Sequence, residues 1–149
     1  MMRLNITAIT PAVDGFQALK QASVAEGFNM LRRLEENWLN QHNRFDKEGE
    51  LLLGALLDGK LVGVCGLNID PFVQEDRAGR VRHLYVAAEY RSQAVGSVLL
   101  REIIAHAAQS FDRLYTHAPQ AAFRFYQRAG FVPTEGIERV THCLRLEQK

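Results

Sequence analysis

The chain has 149 residues, 47% hydrophobic and 23% charged, with 18 basic and 17 acidic side chains for a net charge of +1. A length within the ~100–200 residues usual for one domain gives a single domain over 1–149, long enough to bury about 70% of its unfolded surface without disulfide or metal staples. The balanced charge gives no electrostatic case for nucleic acid or an anionic membrane, and no apolar run reaches the ~18 residues of a membrane span.

The segment Met1 to Thr10 does not read as a signal peptide, so the expected location is the cytoplasm. Leu4 to Ile9 alternates apolar and polar residues and predicts a half-buried strand, broken by Pro11 and Asp14-Gly15. Two helical stretches follow. The second places Phe28, Leu31, Leu34 and Trp38 near one face, with Arg32, Glu35 and Glu36 on the other. Glu50 to Leu57 and Lys60 to Asn68 are apolar runs joined by Asp58-Gly59, a hairpin signal because a type I′ turn needs positive φ at both central residues. Pro71 to Gly79 reads as a loop and Val81 to Val86 as a strand. Val95 to Gln109 predicts a helix whose wide apolar stripe, Val95, Leu99, Leu100, Ile103 and Ile104, must pack on a sheet. A short strand at Arg113 to Thr116, a short helix from Ala121 to Ala129 with Gly130 as its C′ residue, and one or two strands ending near His142 to Leu146 complete the order. The expected fold is α/β: a mixed sheet with helices on both faces and a parallel crossover through the long helix.

Cys65 and Cys143 have no cysteine neighbour at metal-ligand spacing and are expected as reduced thiols on strands. No histidine–carboxylate group has metal-ligand spacing, so no metal is expected. His42, His106 and His142 read as structural or exposed.

Chemistry concentrates where the strand through Leu84-Tyr85-Val86 runs into a loop of small residues and then a long helix. Small residues let backbone approach a ligand. The first helical N–H groups lack internal partners and carry the positive end of the dipole, which suits a phosphate or diphosphate. Arg91 either adds a cation there or is a solvated surface charge. The loop has neither the Gly-Lys-Ser/Thr ending of a P-loop nor the three glycines of a dinucleotide turn.

Arg91-Ser92-Gln93-Ala94-Val95-Gly96 resembles the coenzyme A-binding motif of the GNAT-type N-acetyltransferases, Arg/Gln-x-x-Gly-x-Gly/Ala. Phe125-Tyr126-Gln127-Arg128-Ala129-Gly130-Phe131 resembles the family's Phe-Tyr-x-x-x-Gly-Phe signature, at a family-like separation. The motifs cover the stretch from Val81 to Val132, and the element order matches over essentially the whole chain. The resemblance implies a GNAT-like acyl-CoA N-acyltransferase fold, with a central sheet of about six or seven strands flanked by about four helices. It implies acetyl-CoA as cosubstrate, its pantetheine arm along Leu84, Tyr85 and Val86 and its diphosphate on Arg91, Ser92, Gln93, Ala94, Val95, Gly96 and Ser97. The activity implied is transfer of the acetyl group to a primary amine of a small molecule or protein, by direct attack through a tetrahedral intermediate. The resemblance further implies the Val86 N–H as the oxyanion donor and Tyr126 as the acid that protonates the departing sulfur. Tyr126 also reads as a core aromatic.

Two positions depart from the pattern. Ala94 replaces the first loop glycine, at a cost of ~1–2 kcal/mol if that position needs positive φ. Pro119 stands where many relatives have a cofactor-contacting asparagine, and no role is carried over to it. The base is open: Arg82 and His83 stand where relatives often have a glutamate, and His83, His117 and Glu89 are the neighbouring titratable groups. Glu26, Glu35 and Glu36 are candidates to attract a cationic amine, or simply a solvated helix face. The alternative function is a catalytically silent coenzyme A-binding sensor or interaction module. The resemblance also allows a homodimer.

Overall fold

Asp58 and Gly59 turn the chain with φ of 51° and 84°, the two consecutive positive values of a type I′ turn. In the computed structural model, which describes residues 3–147, this turn joins β2 (Leu51–Leu57) to β3 (Lys60–Ile69) and sets Leu57 opposite Lys60. β1 (Leu4–Ala8) pairs antiparallel with the other edge of β2. Between β1 and β2 lie α1 (Phe16–Ala25) and α2 (Met30–Leu39). After β3 come β4 (Ala78–Val86), a 3₁₀ segment (Ala88–Gln93), α3 (Val95–Ala107), β5 (Arg113–Thr116), a 3₁₀ turn (Gln120–Ala122), α4 (Phe123–Arg128), β6 (Val132–Pro133) and β7 (His142–Arg145).

The seven strands form one sheet in the order β1-β2-β3-β4-β5-β7-β6. β4 and β5 are parallel, joined through α3, and the other pairs are antiparallel. This is the mixed α/β sheet that the sequence predicts. Both faces are covered, so the central strands read as nearly continuous apolar runs. Neighbouring residues on β2 serve opposite layers, as a period of two requires: Leu53 packs with Leu99, Leu100 and Ile103 of α3, and Leu52 with Phe16, Leu31 and Leu34 of α1 and α2. Each such side chain removed from water stabilises the fold by about 1.5–3 kcal/mol.

β4 begins three residues before the expected Val81. Gly79 permits this, since a Cβ there would meet Leu114 Cδ2 and Phe111 Cδ2 at 2.9 Å. Arg80 hides the strand in the sequence because its buried guanidinium is neutralised by Asp70 (Nε to Oδ2, 3.0 Å). The last short helix opens as 3₁₀ and becomes α-helical at Phe123. It ends as expected at Gly130, φ 103°, where the Phe131 and Gly130 N–H groups donate to the Tyr126 and Gln127 carbonyls at 3.1 and 3.0 Å, a Schellman closure. α3 stops at Ala107, two residues short of the expected Gln109, and Phe28 lies ahead of α2 rather than on it.

Candidate active site

The sheet opens between its two parallel strands. β4 pairs with β5 only from Ala78 to Arg80, and β5 ends at Thr116 while β4 runs on to Val86. From Val81 onward β4 therefore has β3 on one side and, among the described residues, no strand on the other. The Ala87 N–H donates to the Val62 carbonyl at 2.9 Å, so Tyr85 also faces β3. The alternation of an antiparallel pair then turns the Val86 N–H and C=O toward the opening. A bulge lies just upstream: the register steps from Val64 opposite Tyr85 to Gly66 opposite Arg82, leaving His83 and Leu84 against Cys65. His83 takes the bulge position with φ 60°, a left-handed conformation that glycine adopts more cheaply. Gly66 makes room, since a Cβ there would lie 2.7 Å from Phe45 Cε1 and 3.2 Å from the Arg82 carbonyl.

The cofactor-motif residues gather at the other end of this edge. Ala94 caps α3 at φ 62°, ψ 15°, so alanine occupies a left-handed position here and bears its strain. The first helical bond runs from the Val98 N–H to the Ala94 carbonyl at 3.1 Å, leaving the N–H groups of Val95, Gly96 and Ser97 without intrahelical acceptors. Gly96 needs no special φ; a Cβ there would touch Phe125 Cε1 at 3.4 Å. Arg91 is engaged by protein. Its Nε donates to the Val86 carbonyl at 2.9 Å, and its Nη1 and Nη2 donate to the two Glu26 oxygens at 2.8 and 2.7 Å. Glu26 also accepts from the Tyr85 hydroxyl. Gln93 is exposed, and the Ser92 side chain lies outside the described residues.

Tyr126 reaches the opening from α4. Its ring is 5% exposed and held edge-to-face by Phe125 and Phe131, each with centroids 5.3 Å away. Burial pushes its phenol well above the ordinary tyrosine value; Cys65 adds to this and a hydrogen bond with Thr116 opposes it. Tyr126, Leu84, Thr116, His117 and Pro119 line one cleft of about 280 Å³ between the strand ends.

His83 lines this cleft too. Its Nε2 is enclosed with no hydrogen-bond partner among the described residues. Burial pulls its pKa down to about 3, with Arg82 and Arg33 pulling the same way and a hydrogen bond to Met30 backbone opposing them. At neutral pH the ring is uncharged and a poor proton acceptor. His117 stands exposed at the end of β5 on the same cleft. Glu89 is exposed on the 3₁₀ segment and does not line the cleft.

Four arginines complete the lining: Arg82, already noted beside His83, with Arg80 from the same strand β4, Arg33 from α2 and Arg139 from the loop before β7. The alternation Arg80-Val81-Arg82 signals two arginines on one face of a strand; nothing local in the sequence brings Arg33 or Arg139 to them. The glutamates expected to attract a cationic amine are spent elsewhere. Glu26 binds Arg91 and Tyr85, Glu35 binds Lys20 and Gln17, and Glu36 sits 3.9 Å from Arg32. Among the described residues no group of three His, Cys, Asp or Glu side chains is placed to hold a metal.

The seven-stranded mixed sheet with helices on both faces, open between its two parallel strands, defines an α/β protein. The model of the acetyltransferase (GNAT) family matches residues 17–131, and the chain belongs to that family. A candidate acetyltransferase from Exiguobacterium sp. 255-15 is 32% identical, with a TM-score of 0.85 over 96% of this chain and 93% of its own. The amino-acid acetyltransferase of Shewanella oneidensis is 29% identical over an alignment of 126 positions that covers 80% of this chain and 27% of that protein; the chain thus spans about a quarter of that relative. A GNAT acetyltransferase from Brucella melitensis, solved in complex with acetyl-CoA, shares the fold at 14% identity, with a TM-score of 0.74 over 99% of this chain and 90% of its own.

Proposed function

We propose that the chain transfers the acetyl group of acetyl-CoA directly to a primary amine of a small molecule or protein. The observation that carries this reading is the convergence of three features on one opening: the Val86 N–H turned outward from the β4 edge, the amides without intrahelical acceptors at the start of α3 and the Tyr126 side chain. The acetyl-CoA bound by the Brucella relative and the amino-acid acceptor class of the Shewanella relative agree with it.

Pantetheine is an extended amide chain and pairs with the free edge at Leu84–Val86 as an added strand would. The diphosphate takes the N–H groups from Gln93 to Ser97, where helix-terminal dipoles favour negative charge. The Val86 N–H faces the gap and stabilises the oxyanion as the amine attacks the thioester carbonyl. The C–S bond then breaks, and Tyr126 donates its proton to the departing sulfur. Its raised pKa does not disable it, because the apolar surroundings raise a thiol too: burial pushes the nearby Cys65 far above the ordinary cysteine value. A phenol protonated throughout the neutral range is a donor at every working pH. His117, the imidazole of the two that solvent reaches, takes the proton from the attacking nitrogen. Two free thiols, Cys65 and Cys143, suit a reducing compartment such as the cytoplasm.

Thiol release from acetyl-CoA with a panel of amines tests the reading, alongside a thermal shift with coenzyme A. A ligand at 100 times its dissociation constant adds about 2.7 kcal/mol, so binding is readily seen. Stabilisation without thiol release from any amine overturns the enzyme in favour of a silent coenzyme A-binding module. No stabilisation overturns both.

A further inference from the structure

The geometry points to an acceptor amine that also carries an oxyanion, held by the arginines at the β4–α2 side of the cleft. This inference rests on the proposed transfer for the amine and adds the chemistry of the rest of the molecule. Four arginines line the cleft and no aspartate or glutamate does, in a chain whose total charge is only +1. Three of their guanidiniums surround one ring: Arg139, Arg80 and Arg82 lie 4.7, 5.0 and 5.8 Å from the centroid of Phe72. Like charges gathered this closely repel unless an anion joins them.

Protein donors engage the two carboxylates that act on the cluster, Glu50 and, beside Arg80, Asp70. Its Oδ2 takes Arg80 Nε at 3.0 Å, and its Oδ1 takes the Phe72 and Val73 N–H groups at 2.8 and 3.0 Å. Glu50, on the far side of Arg82, binds Asn68 and the Ile69 N–H. Arg82 itself has only a 3.5 Å contact with Asn68 Oδ1. The independent sign of a missing ligand is Arg80. It is 3% exposed, its Nη1 donates to the Arg139 carbonyl at 2.7 Å, and its Nη2 is enclosed with no hydrogen-bond partner among the described residues. A buried guanidinium donor left unpaired is costly, and a carboxylate or phosphate oxygen is the group its fork matches. Arg139 contributes that carbonyl from a left-handed backbone, φ 63°, so strain is held where the cluster is assembled. The cleft, about 280 Å³, suits an amine the size of an amino acid.

Matched amines test this in the thiol-release assay: alanine and glycine against their amides, and O-phosphoethanolamine against ethanolamine. The anionic member of a pair should have at least a ~10-fold higher kcat/KM, the worth of one charge-assisted hydrogen bond, and the carboxylate and phosphate arms show which oxyanion fits. Arg139→Gln and Arg33→Gln, both at exposed positions, should raise KM for the anionic amine severalfold without changing KM for acetyl-CoA or the melting temperature. Neutral amines preferred in every pair, or both variants indifferent to the acceptor's charge, would overturn the proposal. Calorimetry with N-acetylglutamate and O-phosphoethanolamine on the intact chain saturated with coenzyme A reads the anion site without turnover. Binding that Arg139→Gln weakens supports the site even if no amine is acetylated, in which case the transferase reading alone fails. Binding of neither probe overturns the anion site, even where a neutral amine is acetylated.

Discussion

The two terminal nitrogens of Arg91 meet the two carboxylate oxygens of Glu26 at 2.8 and 2.7 Å, so the loop entering α3 is clamped to the C-terminal end of α1. Arg91 also fixes the Val86 carbonyl. The clamp thus joins both parts of the proposed cofactor site, and it depends on the charge of Glu26.

That dependence has a pH signature. The Glu26 carboxyl is held below its ordinary value first by the Arg91 fork and then by the Tyr85 hydroxyl, against opposing desolvation. A carboxyl whose folded pKa is depressed stabilises the fold when ionised. The contribution is complete above the unfolded value of ~4.3 and is lost as pH falls through the folded value. Glu26→Gln should therefore flatten the acid limb of stability below about pH 4.3 and leave the slope near neutrality unchanged. Urea midpoints across the acid range measure this, and identical acid limbs in the two proteins would count against it.

Ala94 sits at φ 62°, so the fold itself carries the strain of a left-handed alanine. Ala94→Gly should raise stability by up to ~1 kcal/mol, the relieved strain less the added entropy of unfolded glycine, or a few degrees in melting temperature. The dissociation constant for coenzyme A should stay the same within error, because both states are relieved alike. A variant that binds tighter at an unchanged melting temperature would show that the strain arises on binding.

Tyr126→Phe keeps the ring and both edge-to-face partners and removes only the hydroxyl. Turnover should fall by ~10²-fold or more, in the range of a lost general acid, with coenzyme A affinity and melting temperature nearly unchanged. Because burial holds the phenol protonated, the wild-type rate should show no alkaline limb from this group below about pH 10. Steady-state kinetics across pH, with both substrates varied, decides both points.

Two glycines near the site should respond differently to alanine. At Gly66 the new Cβ would lie 2.7 Å from Phe45 Cε1, and overpacking of this kind costs ~1–3 kcal/mol. The clash also bears on the bulge that presents His83. At Gly96 the tightest contact is 3.4 Å, so Gly96→Ala should leave stability within about 0.5 kcal/mol. Chemical denaturation of both variants tests the contrast.

Sequence by itself determined the parts of this protein that depend on short-range rules. The Asp58-Gly59 turn, the α3 stripe and the Gly130 stop follow from dihedral preferences and from apolar spacing within a few residues. The Arg91–Gly96 and Phe125–Phe131 motifs carried the family. Tertiary structure decided what depends on residues far apart in the chain. Arg80 sits within a buried strand because Asp70, ten residues away in the chain, lies beside it. Glu26, an open candidate to attract the amine, became the anchor of Arg91, 65 residues on. Arg33 and Arg139 meet Arg80 and Arg82 only because α2 and the loop before β7 fold onto the same opening. Charge and burial act through space, and a linear pattern holds no record of which distant segments the packed sheet will set side by side.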